Sequence, residues 1–186
     1  MGGINKFGVK GILIVLLHIA GFIWASYSGL YLTKDSEEYL KAGFNLLAHG
    51  IPYSGDWQEQ LIPEMITRRP ILYPLFLLIT GACHFGPYLA LAIQNILCWL
   101  TFIKITRFLE VRIVDKIKSF IPLLWIGYPS LIIYSNMIMA ESLSLFLLTF
   151  FSISLINSLE KHRLKDLQLA TLFLVLLIFT KPAFVF

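Results

Sequence analysis

Five stretches of this chain, 11–31, 87–108, 119–139, 142–159 and 167–186, run for close to twenty residues with scarcely a charged side chain. That is the length an α-helix needs to cross a hydrocarbon layer about 30 Å thick. Hydrophobic residues make up 58% of the 186 and charged residues only 14%, with a mean hydropathy of +0.77, so too little polar surface remains to wrap a water-soluble globule. The fold class expected is all-α: a polytopic transmembrane helical protein of about five spans, forming a single membrane domain over 1–186. The formal charge of +4 does not point to nucleic acid, because the cations sit in short clusters between apolar runs and not along one face. Cys83 and Cys98 lie among apolar neighbours and offer neither a disulfide framework nor a metal-binding pair.

The charges between the runs set the expected topology. Residues 1–10 form a short lead with Lys6 and Lys10, and span 1 follows over 11–31. The bulky Phe22, Ile23, Trp24 and Tyr27 argue against a cleaved leader. The segment 32–86 holds Asp35, Glu37, Glu38, Asp56, Glu59 and Glu64, more than half of the 11 acids, and reads as a loop with juxtamembrane helices. Within it, Asp35 followed by Glu38 fits an N-cap and its acidic partner, and Leu40, Phe44 and Leu47 recur at helical spacing up to Gly50. The apolar part at 70–85 is short for a span and contains Pro70 and Pro74. If it does not cross, the lead, the loop with Lys104, Arg107, Arg112, Lys116 and Lys118, and the loop with Lys161, Arg163 and Lys165 all fall on the cytoplasmic side. Asp35, Glu141 and Lys181 then meet at the outer face, although they are far apart in sequence.

Several of these residues have both a chemical and a structural reading. Asp35, at the start of the outer loop, could deprotonate a hydroxyl, or it could simply cap a helix with Glu38. Glu141 interrupts some forty apolar residues, where an ionised carboxylate at mid-membrane would cost on the order of 3 kcal/mol. It belongs at a boundary or in a polar cavity, either as a site residue or as the first-turn acid of the next helix. Arg68, Arg69 and Lys181 could bind a lipid phosphate or reach to the headgroups. Gln94 and Asn95, inside a span, read as interhelical hydrogen-bonding groups. The four histidines show no metal-ligand spacing, so no metal site is read from pattern, while the outer carboxylates leave a divalent ion open. No nucleotide-binding, serine-hydrolase or zinc-protease motif occurs.

In order along the chain, Asp35 with Tyr39, then Leu46-Leu47 and Gly50-Ile-Pro-Tyr53, are followed by Arg69-Pro70-Ile-Leu-Tyr73-Pro-Leu-Phe76. After Lys104-Ile-Thr-Arg107 come Tyr128-Pro129, Tyr134-Ser135, Ala140-Glu141-Ser142 and Thr180-Lys181-Pro182. This series resembles the GT-C glycosyltransferases, in the bacterial branch related to protein O-mannosyltransferases and lipid A aminoarabinose transferase. The resemblance implies a membrane enzyme that moves a sugar from a polyprenyl-phosphate donor to an acceptor hydroxyl on a glycan, lipid or protein at the outer face of a bacterial inner membrane. It implies catalytic roles for Asp35, Glu141 and Glu38, and donor-phosphate binding by Arg69, Arg68 and Lys181. The chain departs from the family in having Ser36 directly after Asp35, which leaves open which of Asp35, Glu37 and Glu38 acts. Family members are also much longer, so the chain is expected to be an N-terminal portion, truncated and inactive alone under one reading. Two other classes compete: a transporter module lined by Glu141, Gln94 and Lys181, and a non-enzymatic membrane subunit docking through the amphipathic loop.

Overall fold

A computed structural model describes residues 8–29, 31–58, 60–113 and 120–181, and every regular element among them is an α-helix. In chain order these are α1 (Gly8–Ser28), α2 (Lys34–His49), α3 (Pro63–Thr67), α4 (Leu72–Ile79) and α5 (Tyr88–Glu110), then α6 (Ile121–Ile126), α7 (Ser130–Ser135), α8 (Glu141–Lys161) and α9 (Leu164–Ile178). Three of them, α1, α5 and α8, are long and apolar enough to cross a membrane. The 23 residues of α5 extend about 35 Å at the helical rise, against a hydrocarbon core of about 30 Å. Ile12, Ile23 and Trp24 of α1, Leu124 of α6 and Leu172 of α9 are exposed, large apolar side chains on the exterior that suit lipid better than water.

The two remaining expected spans look different. The sequence predicts one helix over 119–139, but the described part is the pair α6 and α7. Helix α6 closes at Gly127, whose N–H bonds the Leu123 carbonyl, and Pro129 then starts α7. Proline lacks an N–H and its ring disfavours helical geometry at the preceding residue, Tyr128, which accounts for the break at this point. The stretch expected at 167–186 begins earlier, as α9. Its 15 residues extend about 22 Å, and 182–186 lie outside the described residues. Outside them too are Lys6 of the lead and Asp115, Lys116 and Lys118 of the basic loop.

Helix α2 runs along the bundle end and is defined at both termini by its sequence. Thr33 and Ser36 form a reciprocal capping box at its start. At its end Gly50 adopts φ 73°, a left-handed conformation that costs glycine least, and returns its N–H to the Leu46 carbonyl. Gly43 lets α2 lie directly on α4, since a Cβ there would stand 2.7 Å from Cys83 Sγ and 3.0 Å from the Pro74 carbonyl oxygen. Helix α4, at eight residues, is only about 12 Å long, too short to cross. Beneath it Tyr39, Tyr73, Leu77, Leu91 and Ile138 form one buried cluster, and a second, of Ile14, Cys98, Phe102 and Trp125, joins α1, α5 and α6.

Contacts between distant segments define the two bundle ends. At one end Ile138 donates its N–H to the Tyr31 carbonyl (2.9 Å), Leu72 donates to the Phe179 carbonyl (2.9 Å), and the Tyr31 and Tyr88 rings meet edge to face. The exit of α1, the entries of α5 and α8, and the exit of α9 therefore lie together under the 31–87 segment. At the other end Arg112, just past α5, pairs with Glu160 near the end of α8. There His162, at φ 50°, turns the chain from α8 into α9.

Candidate functional site

The acids of α2 share one face because Asp35, Glu38 and Tyr39 stand at positions i, i+3 and i+4. Asp35 is not the N-cap that the sequence suggested, and Glu38 does not complete a box with it. Thr33 accepts the Ser36 N–H, and Ser36 Oγ accepts the Thr33 N–H (2.9 Å). With the helix end satisfied by hydroxyls, both carboxylates are left for Arg69, held immediately before Pro70. Arg69 donates from Nε to Glu38 Oε2 (2.9 Å) and from Nη2 to Asp35 Oδ1 (2.6 Å). Its guanidinium also lies 4.7 Å above the Tyr39 ring centre. Arg68 Nε reaches the same Glu38 oxygen at 3.0 Å. Glu38 and Arg69 are nearly buried (side chains 12% and 14% exposed), whereas Asp35 is half exposed, so Asp35 is the carboxylate best placed to meet an incoming hydroxyl.

A second pair forms where α9 returns to the start of α8. Lys181 Nζ donates to Glu141 Oε1 at 2.9 Å, with both side chains about two-thirds covered. Glu141 is also the first residue of α8, so the helix-dipole reading and the paired reading hold together. Two tyrosines join the pairs. Tyr39 packs edge to face on Tyr73 at 4.7 Å, and the Tyr73 hydroxyl donates to Gln94 Oε1 on α5. Gln94 in turn donates to the Met137 carbonyl (2.7 Å), four residues before Glu141. Burial pushes the Tyr39 phenol above its ordinary pKa; Arg69 opposes this, while Glu141 and Asp35 reinforce it. Tyr39 thus feels charges from both groups. Tyr73, fully buried, is pushed further by burial, with Tyr39 and Glu141 adding to it. For Arg69, burial lowers the pKa, but Tyr39, Asp35 and Glu38 outweigh it and leave the guanidinium held above its usual value.

All six residues singled out from sequence lie in this region: Asp35, Glu38, Arg68 and Arg69 in one cluster, Glu141 and Lys181 in the other. A phosphate entering here would find cations that already have carboxylate partners, and it would compete by gripping the Arg69 fork with two oxygens. No group of three His, Cys, Asp or Glu side chains among the described residues could hold a metal ion. His49 instead stacks on Trp57, and His84 packs against Phe44.

Sequence reading missed how far the polar structure continues into the bundle. Asn95 Nδ2 donates to Asn136 Oδ1 (2.8 Å), while Asn95 Oδ1 takes His18 Nδ1 (2.7 Å) and Ser135 Oγ (3.0 Å), tying α1, α5 and α7 together. The signal was present in the adjacent Gln94 and Asn95. Two amides inside an apolar helix require partners, and His18, the polar group in the middle of the first apolar run, was one of them. Comparison of the chain with protein-family models, with curated proteins and with solved structures finds no match.

Proposed function

We propose that this chain is the N-terminal module of a GT-C-like glycosyltransferase, using a polyprenyl-phosphate sugar at the outer face of a bacterial inner membrane, with its N-terminus in the cytoplasm. The observation that carries the reading is the gathering of Asp35, Glu38, Arg68, Arg69, Glu141 and Lys181 at one end of an apolar bundle. Five crossings accord with the contacts at the two ends: Arg112 with Glu160 at one, Glu141 with Lys181 at the other. The chain between Arg112 and Glu141 must then return across as the broken pair α6 and α7. In the reaction, Asp35 takes the proton of the acceptor hydroxyl and the oxygen forms a bond to the anomeric carbon. The bond from that carbon to the phosphate oxygen breaks, and polyprenyl phosphate leaves. Arg69 and Lys181 stabilise the charge that develops on it, and do so more effectively in a poorly hydrated pocket.

Transfer of label from a polyprenyl-phosphate sugar, measured with the chain in its full-length membrane context, tests this. Asp35→Asn should lower transfer at least about a hundredfold, the scale of a lost general base, with membrane insertion unchanged. Transfer at the original rate would reject Asp35 as the base. A transport module is the second reading, favoured by the break between α6 and α7 beside the His18, Asn95 and Asn136 network, since discontinuous helices often line pathways.

A further inference from the structure

A cavity of about 340 Å³ lies between α1 and α5, walled by Val15, Ile19 and Phe22 on one side and Ala92, Ile96 and Trp99 on the other. Its volume falls within the roughly 300–1,000 Å³ usual for small-molecule sites. It takes no part in the charged site, which lies at the bundle end. Ile19 and Ile96 are about half exposed, so its mouth faces the hydrocarbon. His18 and Asn95 form its polar wall, and His18 is 5% exposed.

The hydrogen bonds fix what that wall offers. Asn95 donates through Nδ2 to the Leu91 carbonyl and to Asn136 Oδ1, which leaves Oδ1 as the acceptor facing His18. His18 Nδ1 therefore carries the proton in that 2.7 Å contact, and Nε2 keeps a lone pair. Nε2 is buried and has no partner among the described residues. A buried acceptor without a donor is costly; the aliphatic side chains of the wall and lipid chains have no donor, and the Trp99 indole does not reach Nε2. We propose that this cavity binds an apolar molecule bearing a single hydroxyl, which donates its proton to His18 Nε2 while its hydrocarbon part fills the space between α1 and α5. Anions are disfavoured by the lone pair and by the absence of a cation in the wall, and cations by the low-dielectric surroundings. Nε2 is covered in this conformation, so binding entails a small side-chain adjustment.

The test uses the full chain in lipid nanodiscs and two photoactivatable probes, a diazirine-bearing hexadecanol and its methyl ether, with labelled peptides located by mass spectrometry. The two probes differ only in the donor. The alcohol should label the α1 and α5 segments about fivefold more than the ether, the net worth of one hydrogen bond exchanged for those the hydroxyl makes outside the cavity. His18→Leu should erase that preference. Ala92→Leu fills the cavity from the opposite wall without touching the amide network, and should reduce labelling by both probes there. Equal labelling by alcohol and ether in the unaltered chain, or a preference for the alcohol confined to segments away from the cavity, would overturn the proposal.

Discussion

Glu38 accepts from two arginines through one oxygen, and it is the most buried carboxylate of the candidate site. Removing Arg69 leaves that charge with only the half-exposed Arg68, so Arg69→Met should cost about 3 kcal/mol, the lower end for breaking a buried pair. Thermal unfolding of the detergent-solubilised chain measures it, and a change within about 0.5 kcal/mol would mean that water enters the cluster freely. At this scale the sequence identified residue types better than partners. Asp35, Glu38, Arg68, Arg69, Glu141 and Lys181 stood out because charge is scarce in so apolar a chain. The pairing of Asp35 with Arg69, 34 positions away, had no local signature. The mistaken cap has a simple origin: Thr33 and Ser36 are a hydroxyl version of the box, and they outcompeted the more familiar aspartate three residues ahead of a glutamate.

Helix α2 was legible in its body and at its end, because Gly50 stops it and its apolar residues repeat at helical spacing. The break between α6 and α7 was not. The run 119–139 is uncharged throughout, and hydropathy registers composition without regard to backbone geometry, so Gly127 and Pro129 were hidden inside a stretch that looked continuous. The docking of α2 on α4 was equally hidden, since nothing local marks Gly43 as a contact point. Gly43→Val would set a branched side chain against the Pro74 carbonyl, a backbone group that cannot swing aside. Overpacking of this kind costs about 1–3 kcal/mol. Hydrogen exchange should show α2 amides losing protection while those of α8 keep theirs; unchanged protection in α2 would mean that α4 accommodates the larger residue.

Across the whole molecule, the ion pairs at opposite ends make sidedness measurable. With Cys83 and Cys98 replaced, single cysteines at 35 and 141 should react with an impermeant reagent added outside intact cells, and one at 112 only after permeabilisation. Position 141 reachable from both sides in turn would favour transport, and position 141 closed from outside while 35 is open would dissolve the shared site. The backbone hydrogen bond from Leu72 to Phe179 and the pairing of Glu141 with Lys181 also bear on how the protein is made. Both need residues near position 180, so a nascent chain halted at the end of α8 carries an unneutralised glutamate and an amide at the start of α4 that still lacks its acceptor. Assembly of the charged end therefore waits for α9 to enter the bundle, because that helix delivers both the cation for Glu141 and the acceptor for Leu72.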